Sequence, residues 1–193
     1  MANIEDELQA DGLEVLGSCR GFTADNETLL RHSALLENFT PEEAEALGSV
    51  MIRVRARPGQ ILIREGATGL WMLLLLYGTV DVTKLSARGT ASRLAVIKSG
   101  ASIGEMSMLD GAPRYATCSA IEQVEAGVLT RPAIERLIRE HPAAGAKLLV
   151  KLTQLLAQRL RNTSNELVRV RAGTAQDASA ALKARLKRRA TDW

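Results

Sequence analysis

The segment GEMSMLDGAPRYATCSA, residues 104–120, holds the residue types whose spacing can do chemistry. Gly104 and Glu105 stand at the mouth of a short apolar run, and the pair Pro113-Arg114 begins nine residues after the glycine. A hydrophobic core has no use for that arrangement, but a small anion attached to a sugar does. If GEMSML opens a short helix, its first turn offers N–H groups without partners and the positive end of a dipole. Gly104 then lets the backbone come close, and Met106 and Ser107 supply the N–H donors. Arg114 adds a full charge and a planar fork that matches paired oxygens. Glu105, when ionised, only accepts hydrogen bonds, which suits a sugar hydroxyl. Taken singly, a glutamate at a helix start is a dipole partner and an arginine after proline is a solvated loop residue. The combination at this spacing is what points to a binding site.

The elements that must position this segment follow from periodicity. Residues 3–49 read as helical, and TPEEAEALGSV (40–50) carries a cap at Thr40, Pro41 at the first helical position and Glu43 three residues after the cap. In MIRVRARPGQ, Ile52, Val54 and Ala56 alternate with Arg53, Arg55 and Arg57. This is the period of a strand with one wet face. Short strands follow in ILIRE, LWMLLLLYG, TVDVTKL, RLAVIKS, ATCSAI and VEAGVLT, punctuated by glycines. From Arg131 the period is helical again: RPAIERLIREHP forms one short helix, and Pro142 opens a long one. Along it Leu149, Leu152, Leu156, Leu160, Thr163, Leu167 and Val170 step by three and four, as in a helix-pairing seam. Residues 172–181, AGTAQDASAA, read as a linker, and five bases fall in the seven residues 183–189.

Charge is unevenly placed. Residues 1–50 hold eleven acids and two bases, a net −9, whereas residues 151–193 hold ten bases and three acids, a net +7. The two ends are therefore expected to meet each other or a charged partner, or else to present solvated helix faces. Aromatic residues are only 3%, so aliphatic side chains must fill the core. The apolar run LWMLLLLY is too short for a membrane span, and the acidic start MANIEDELQADG lacks the plan of a secretion signal. Cys19 and Cys118 form no motif. A cytoplasmic location is expected.

Within this framework, residues 35–170 resemble the cyclic nucleotide-binding domain family. The resemblance rests on Ile103-Gly104-Glu105-Met106-Ser107 followed by Pro113-Arg114-Tyr115-Ala116-Thr117, which is similar to that family's phosphate-binding cassette. It rests also on RPGQILIREGATG and LLYGTVDV, with Gly59, Gly66, Gly69 and Gly78 in register. The fold implied is α+β: a β-barrel of the double-stranded β-helix or jelly-roll kind, flanked by N-terminal helices and a long C-terminal helix. The expected divisions are an N-terminal helical segment at 1–49, the barrel at 50–131, C-terminal helices with the dimerisation helix at 132–171, and a basic tail at 172–193.

The resemblance makes Gly104, Glu105, Met106, Ser107, Arg114, Tyr115 and Ala116 ligand-binding candidates, with Arg114 on the cyclic phosphate and Glu105 on the ribose. The fold is expected to stand without Arg114. Departures from the family pattern are Leu70 and Trp71 after Gly69, and Ser102 and Ile103 before Gly104. Cyclic-GMP-selective members often carry Thr after the cassette arginine; Tyr115 stands there, which favours cyclic AMP over cyclic GMP. Its ring packs either on the base or on the barrel. Thr163 and Ser164 resemble a Thr-Ser pair that reaches adenine in one branch of the family, the Ser from the second subunit. The distance from Pro142 leaves a second alignment, with Arg159 and Leu160 facing the base.

An enzyme is not expected, because His32 and His141 show no ligand spacing and no nucleophile–base pair or Walker-type loop is present. The reading is a homodimeric sensor that relays ligand binding to an unidentified partner. One alternative is a DNA-binding transcription regulator of the same superfamily. Against it, about twenty residues after Arg171 are too few for a helix-turn-helix domain, so no sequence-specific DNA binding is expected. The basic tail is expected to give at most weak contact with polyanions or anionic lipid, or to fold back on the acidic N-terminus. The other alternative is a cyclic di-GMP receptor on the same fold, which would need more arginines than Arg114.

Overall fold

The computed structural model describes residues 3–24, 27–86 and 88–190. The chain divides after Thr153 into two compact units. In the first, α1 (Ile4–Ala10), β1 (Glu14–Ser18), α2 (Glu27–His32) and α3 (Pro41–Val50) precede the strands. These are β2 (Ile52–Ala56), β3 (Ile61–Ile63), β4 (Trp71–Tyr77), β5 (Thr79–Leu85), β6 (Ala91–Lys98) and β7 (Ser102–Ile103). The short helix α4 (Glu105–Asp110) leads to β8 (Thr117–Ala120) and β9 (Val124–Thr130), then to α5 (Arg131–Glu140) and α6 (Pro142–Ala190).

The strands form two antiparallel sheets, ordered β1-β2-β9-β4-β7 and β3-β8-β5-β6. The expectation of β-sheets with flanking helices holds at that level. One core draws on both: Val54, Leu62, Trp71, Leu73, Leu75, Val80, Cys118, Val124, Ala126 and Val128. β4 sits between β9 and β7 and is buried from Trp71 through Leu76. Met72 and Leu74 lie at 0% and 1% exposure although they face away from Leu73 and Leu75. That explains an apolar run without alternation.

The alternating arginines of β2 behave as their period requires. Val54 and Ala56 are buried, whereas Arg53 and Arg55 reach Glu125 of β9, with Nε–O distances of 2.9 and 3.1 Å. α3 starts as its sequence demands: the Thr40 N–H donates to Glu43 Oε2 at 2.8 Å and the Glu43 N–H to Thr40 Oγ1 at 3.2 Å.

The N-terminal segment is not all helix. Gly12 turns the chain with φ +83°, and residues 14–18 then pair with β2, Glu14 opposite Arg55. The backbone groups of the β2 edge recruit this strand, and Glu14 Oε2 lies 3.3 Å from Arg55 Nη1. Residues 172–181 also differ from the linker reading: the backbone of α6 is helical without a break to Ala190. The sequence there is rich in alanine, the strongest helix former.

The acidic N-terminus meets lysines at the start of α6. Lys147 Nζ lies 2.6 Å from Glu43 Oε2, and Lys151 Nζ lies 2.6 Å from Glu37 Oε2. The side chains of the 183–189 cluster lie outside the described residues. Leu148 and Leu152 are 0% and 1% exposed. Leu152 therefore packs within the first unit, a correction to its place in a free pairing seam. In the second unit Leu160 and Leu167 are exposed at 68% and 52%; the Val170 side chain lies outside the described residues.

Candidate functional site

Seven candidate residues converge at one place in the first unit. β7 delivers Gly104, whose φ of +82° and ψ of 4° make it the left-handed N-cap of α4. No side chain caps this helix. The first return bond is the Met108 N–H to Gly104 O at 3.3 Å. The N–H groups of Glu105, Met106 and Ser107 thus have no carbonyl behind them within the helix. Glu105 and Ser107 are buried at 1% and 3%, while the Met106 side chain is exposed at 46%.

Arg114 lies in the loop after α4, held by its own backbone: its N–H donates to Ala67 O at 2.8 Å and its carbonyl accepts from the Gly66 N–H at 2.9 Å. Its side chain is 4% exposed. Nη1 donates to Gly104 O at 2.9 Å, so the guanidinium grips the N-cap of α4. Its Cζ sits 4.3 Å from the centre of the Trp71 ring. Nη2 is buried and has no hydrogen-bond partner among the described residues. Burial pulls the guanidinium below its usual pKa, opposed by the acidic side chains of Glu7, Glu105 and Asp11. It remains a cation, as arginine does in proteins. Such a donor, dry and only partly satisfied, is an anion-binding group.

Two glycines make this seat. A Cβ on Gly69 would lie 2.7 Å from Arg114 Nη2 and 3.1 Å from Nε. One on Gly104 would lie 2.8 Å from Nη1 and 2.9 Å from Ile63 Cδ1. Gly69, conspicuous in the sequence only as part of a series, is small because the guanidinium occupies the space beside it. Trp71 was legible only as a departure from a pattern. It is the aromatic platform on which Arg114 rests, and aromatic faces are a recurrent seat for guanidinium groups. In the free protein Arg114 is thus held by Gly104 O and the Trp71 ring.

Tyr115 is exposed at 56%. Its ring lies 4.2 Å from Lys84 Nζ, and its carbonyl accepts from the same ammonium at 2.7 Å. Lys84 in turn pairs with Glu65 at 2.8 Å. The ring thus packs on a β5 side chain. Ala116 is buried at 8% where the loop enters β8. At the other end of α4, Arg131 donates to the carbonyls of Met108 and Leu109, a contact that sequence reading missed because the partners lie 23 and 22 residues apart. It satisfies the last carbonyls of α4 from the first residue of α5.

Thr163 and Ser164 belong to the second unit, on α6. Both are exposed, and Thr163 Oγ1 donates to Arg159 O at 2.9 Å. Among the described residues no cluster of His, Cys, Asp and Glu could hold a metal ion. A groove of about 470 Å³ lined by Ser18, Ser49, Thr130, Arg136 and Arg139 contains none of the candidates. No described helix is long and apolar enough to cross a membrane.

Comparison with known proteins matches residues 53–141 to the family described as "Cyclic nucleotide-binding domain". A solved cyclic nucleotide-binding domain from Methylobacillus flagellatus is 34% identical, superposes with a TM-score of 0.71, and the match covers 81% of this chain and 88% of that one. The catabolite activator protein of Thermus thermophilus is 33% identical with a TM-score of 0.64, over 70% of this chain and 62% of that one. A CRP-like cAMP-activated global transcriptional regulator of Mycobacterium tuberculosis is 26% identical over 141 residues, 73% of this chain. The chain spans 61% of that relative's length.

Proposed function

The chain belongs to the cyclic nucleotide-binding domain family, and on that premise we propose that it is a cytoplasmic cyclic AMP sensor. The observation that carries the reading is Arg114: a buried cation with one unbonded nitrogen, holding the N-cap of a helix that no side chain caps. In this reading the cyclic phosphate takes Arg114 Nη2 and the first-turn N–H groups of α4. A monoanion with two exocyclic oxygens suits one fork and one helix start. The Glu105 carboxylate accepts from the ribose hydroxyl.

Relatives named for cyclic AMP support adenine over guanine. Tyr115 is free to leave Lys84 for the base, since its ring is more than half exposed. The protein binds and does not convert its ligand. Its two sheets act as the two faces of a jelly roll, the exposed leucines of α6 pair with a second copy, and Thr163-Ser164 meet the base. Ligand binding is passed through α5 and α6 to a partner protein.

Titration calorimetry with cyclic AMP, cyclic GMP and cyclic di-GMP tests the proposal. Cyclic AMP is expected to bind most tightly, cyclic GMP more weakly, and cyclic di-GMP not at all. Binding of none of the three, or of cyclic di-GMP alone, overturns it. The second reading, a DNA-binding regulator, is favoured by the relatives named as transcriptional regulators. A footprint at one defined site that persists at physiological salt would decide for it.

A further inference from the structure

The arginine that carries the site is tied to the first helix of the chain. Trp71 Nε1 donates to Glu7 Oε1 of α1 at 3.2 Å. The other side of that indole relationship is the Arg114 guanidinium, 4.3 Å from the ring centre. α1 is itself fixed: Leu8 is 0% exposed and belongs to the same core cluster as Trp71 and Leu73. Its start is capped by Asn3, which accepts from the Glu5 N–H at 3.3 Å. A continuous physical chain therefore runs from a helix near the N-terminus, through one indole, to the buried cation.

We infer that Glu7 is a positioning residue for Arg114, acting through the Trp71 ring. The argument is geometric. Trp71 is 4% exposed, and a buried indole N–H calls for a hydrogen-bond partner. A hydrogen bond at Nε1 fixes the tilt of the ring, and the ring plane fixes one face of the guanidinium. Gly69 and Gly104 close the remaining space. Arg114 then has one seat, with Nη1 on Gly104 O and Nη2 left for a ligand. An acceptor oxygen on the indole N–H, carboxylate or amide, also polarises the ring toward a cation on its face. Glu7 is exposed, so its charge acts weakly at a distance; its acceptor oxygen does the positioning.

This inference rests on the cyclic nucleotide reading only for its effect on affinity; its effect on Arg114 is independent of any ligand. The test uses the full chain, with Glu7→Ala, which removes the acceptor, and Glu7→Gln, which keeps an acceptor oxygen and removes the charge. Two-dimensional ¹⁵N spectra of the ligand-free protein follow the Trp71 indole N–H and the Arg114 Nε–H, which sits in the ring current of Trp71. Glu7→Ala is expected to move both resonances, and Glu7→Gln to leave Arg114 near its parent position. In calorimetry with cyclic AMP, Glu7→Ala is expected to weaken binding about three- to tenfold, as loss of one modest hydrogen bond allows. Glu7→Gln restores it. An Arg114 resonance unmoved by Glu7→Ala overturns the inference even if no nucleotide binds. Equal loss in Ala and Gln variants, or tighter binding in both, also overturns it, because charge and not position would then be at work. If the parent binds no cyclic nucleotide, the proposed function fails while the spectra still decide the role of Glu7.

Discussion

Replacing Arg114 with leucine separates what the arginine does for the fold from what it does for a ligand. In the free protein the change removes one hydrogen bond from a charged donor to Gly104 O and one contact with the Trp71 ring. Together these are worth about 2–4 kcal/mol. It also removes the cost of holding a guanidinium at 4% exposure, several kcal/mol for a desolvated ion. Gly104 O keeps the Met108 N–H and is not orphaned. The opposing contributions leave the folded state within about 1 kcal/mol of the parent, about 2–4 °C in Tm for a chain of this size. Ligand binding has no such compensation. The phosphate loses a charge-assisted partner in a dry seat, a loss of about 2–4 kcal/mol or roughly thirty- to thousandfold. The assay is calorimetric affinity for cyclic AMP beside a melting curve. A folded Arg114→Leu protein that binds as tightly as the parent refutes the placement of the site. Gly69→Ala is the companion change: its Cβ meets the movable end of Arg114 rather than backbone, so affinity should fall about tenfold while Tm stays near the parent value.

Other expectations concern assembly and pH. Leu160→Glu with Leu167→Glu should convert a dimer to monomers by light scattering with little change in Tm. Leu152→Ala instead should cost about 2–4 kcal/mol of stability, because that side chain is buried in the first unit; a monomeric parent sinks the pairing proposal. Glu43 lies below the usual carboxylate range, chiefly through its hydrogen bond from Lys147, as does Asp81 through Arg93 and Glu65 through Lys84. Folded values below unfolded ones mean stability present above about pH 4.5 and lost as pH falls through the folded values. Lys147→Ala should make the fall of Tm on acidification shallower, and an unchanged slope would contradict the pairing.

Much of the sheet was legible because its strands are long enough to show a period. β2 alternates over its five residues and β5 over its first four, and Pro58-Gly59 marks a turn. β1 escaped notice because EVLGS is short, contains a glycine and exists only where the β2 edge offers it a partner. β7 is two residues long and has no period to read. The grouping of Gly104, Glu105 and Arg114 was readable as a motif, since their spacing shows in the sequence itself. The seat of Arg114 was not, because Glu7, Gly69, Trp71 and Gly104 come together only through the fold. α6 shows the same limit: its three-four pattern is continuous, and nothing in that pattern says that Leu152 is covered and Leu160 is open.

β4 lies between two strands that the ribosome makes after it. Its seven residues, WMLLLLY, contain no charge and no proline, and six of them end fully covered. β7, ending 26 residues after Tyr77, closes one edge, but β9, its longer partner, ends 53 residues after Tyr77. At bacterial or eukaryotic rates of synthesis that interval lasts about 3–10 s. During it an uncharged, proline-free apolar stretch has an open edge. The order of strands that places Trp71 beneath Arg114 thus makes the birth of this protein, more than its finished state, the time when it is most exposed to loss.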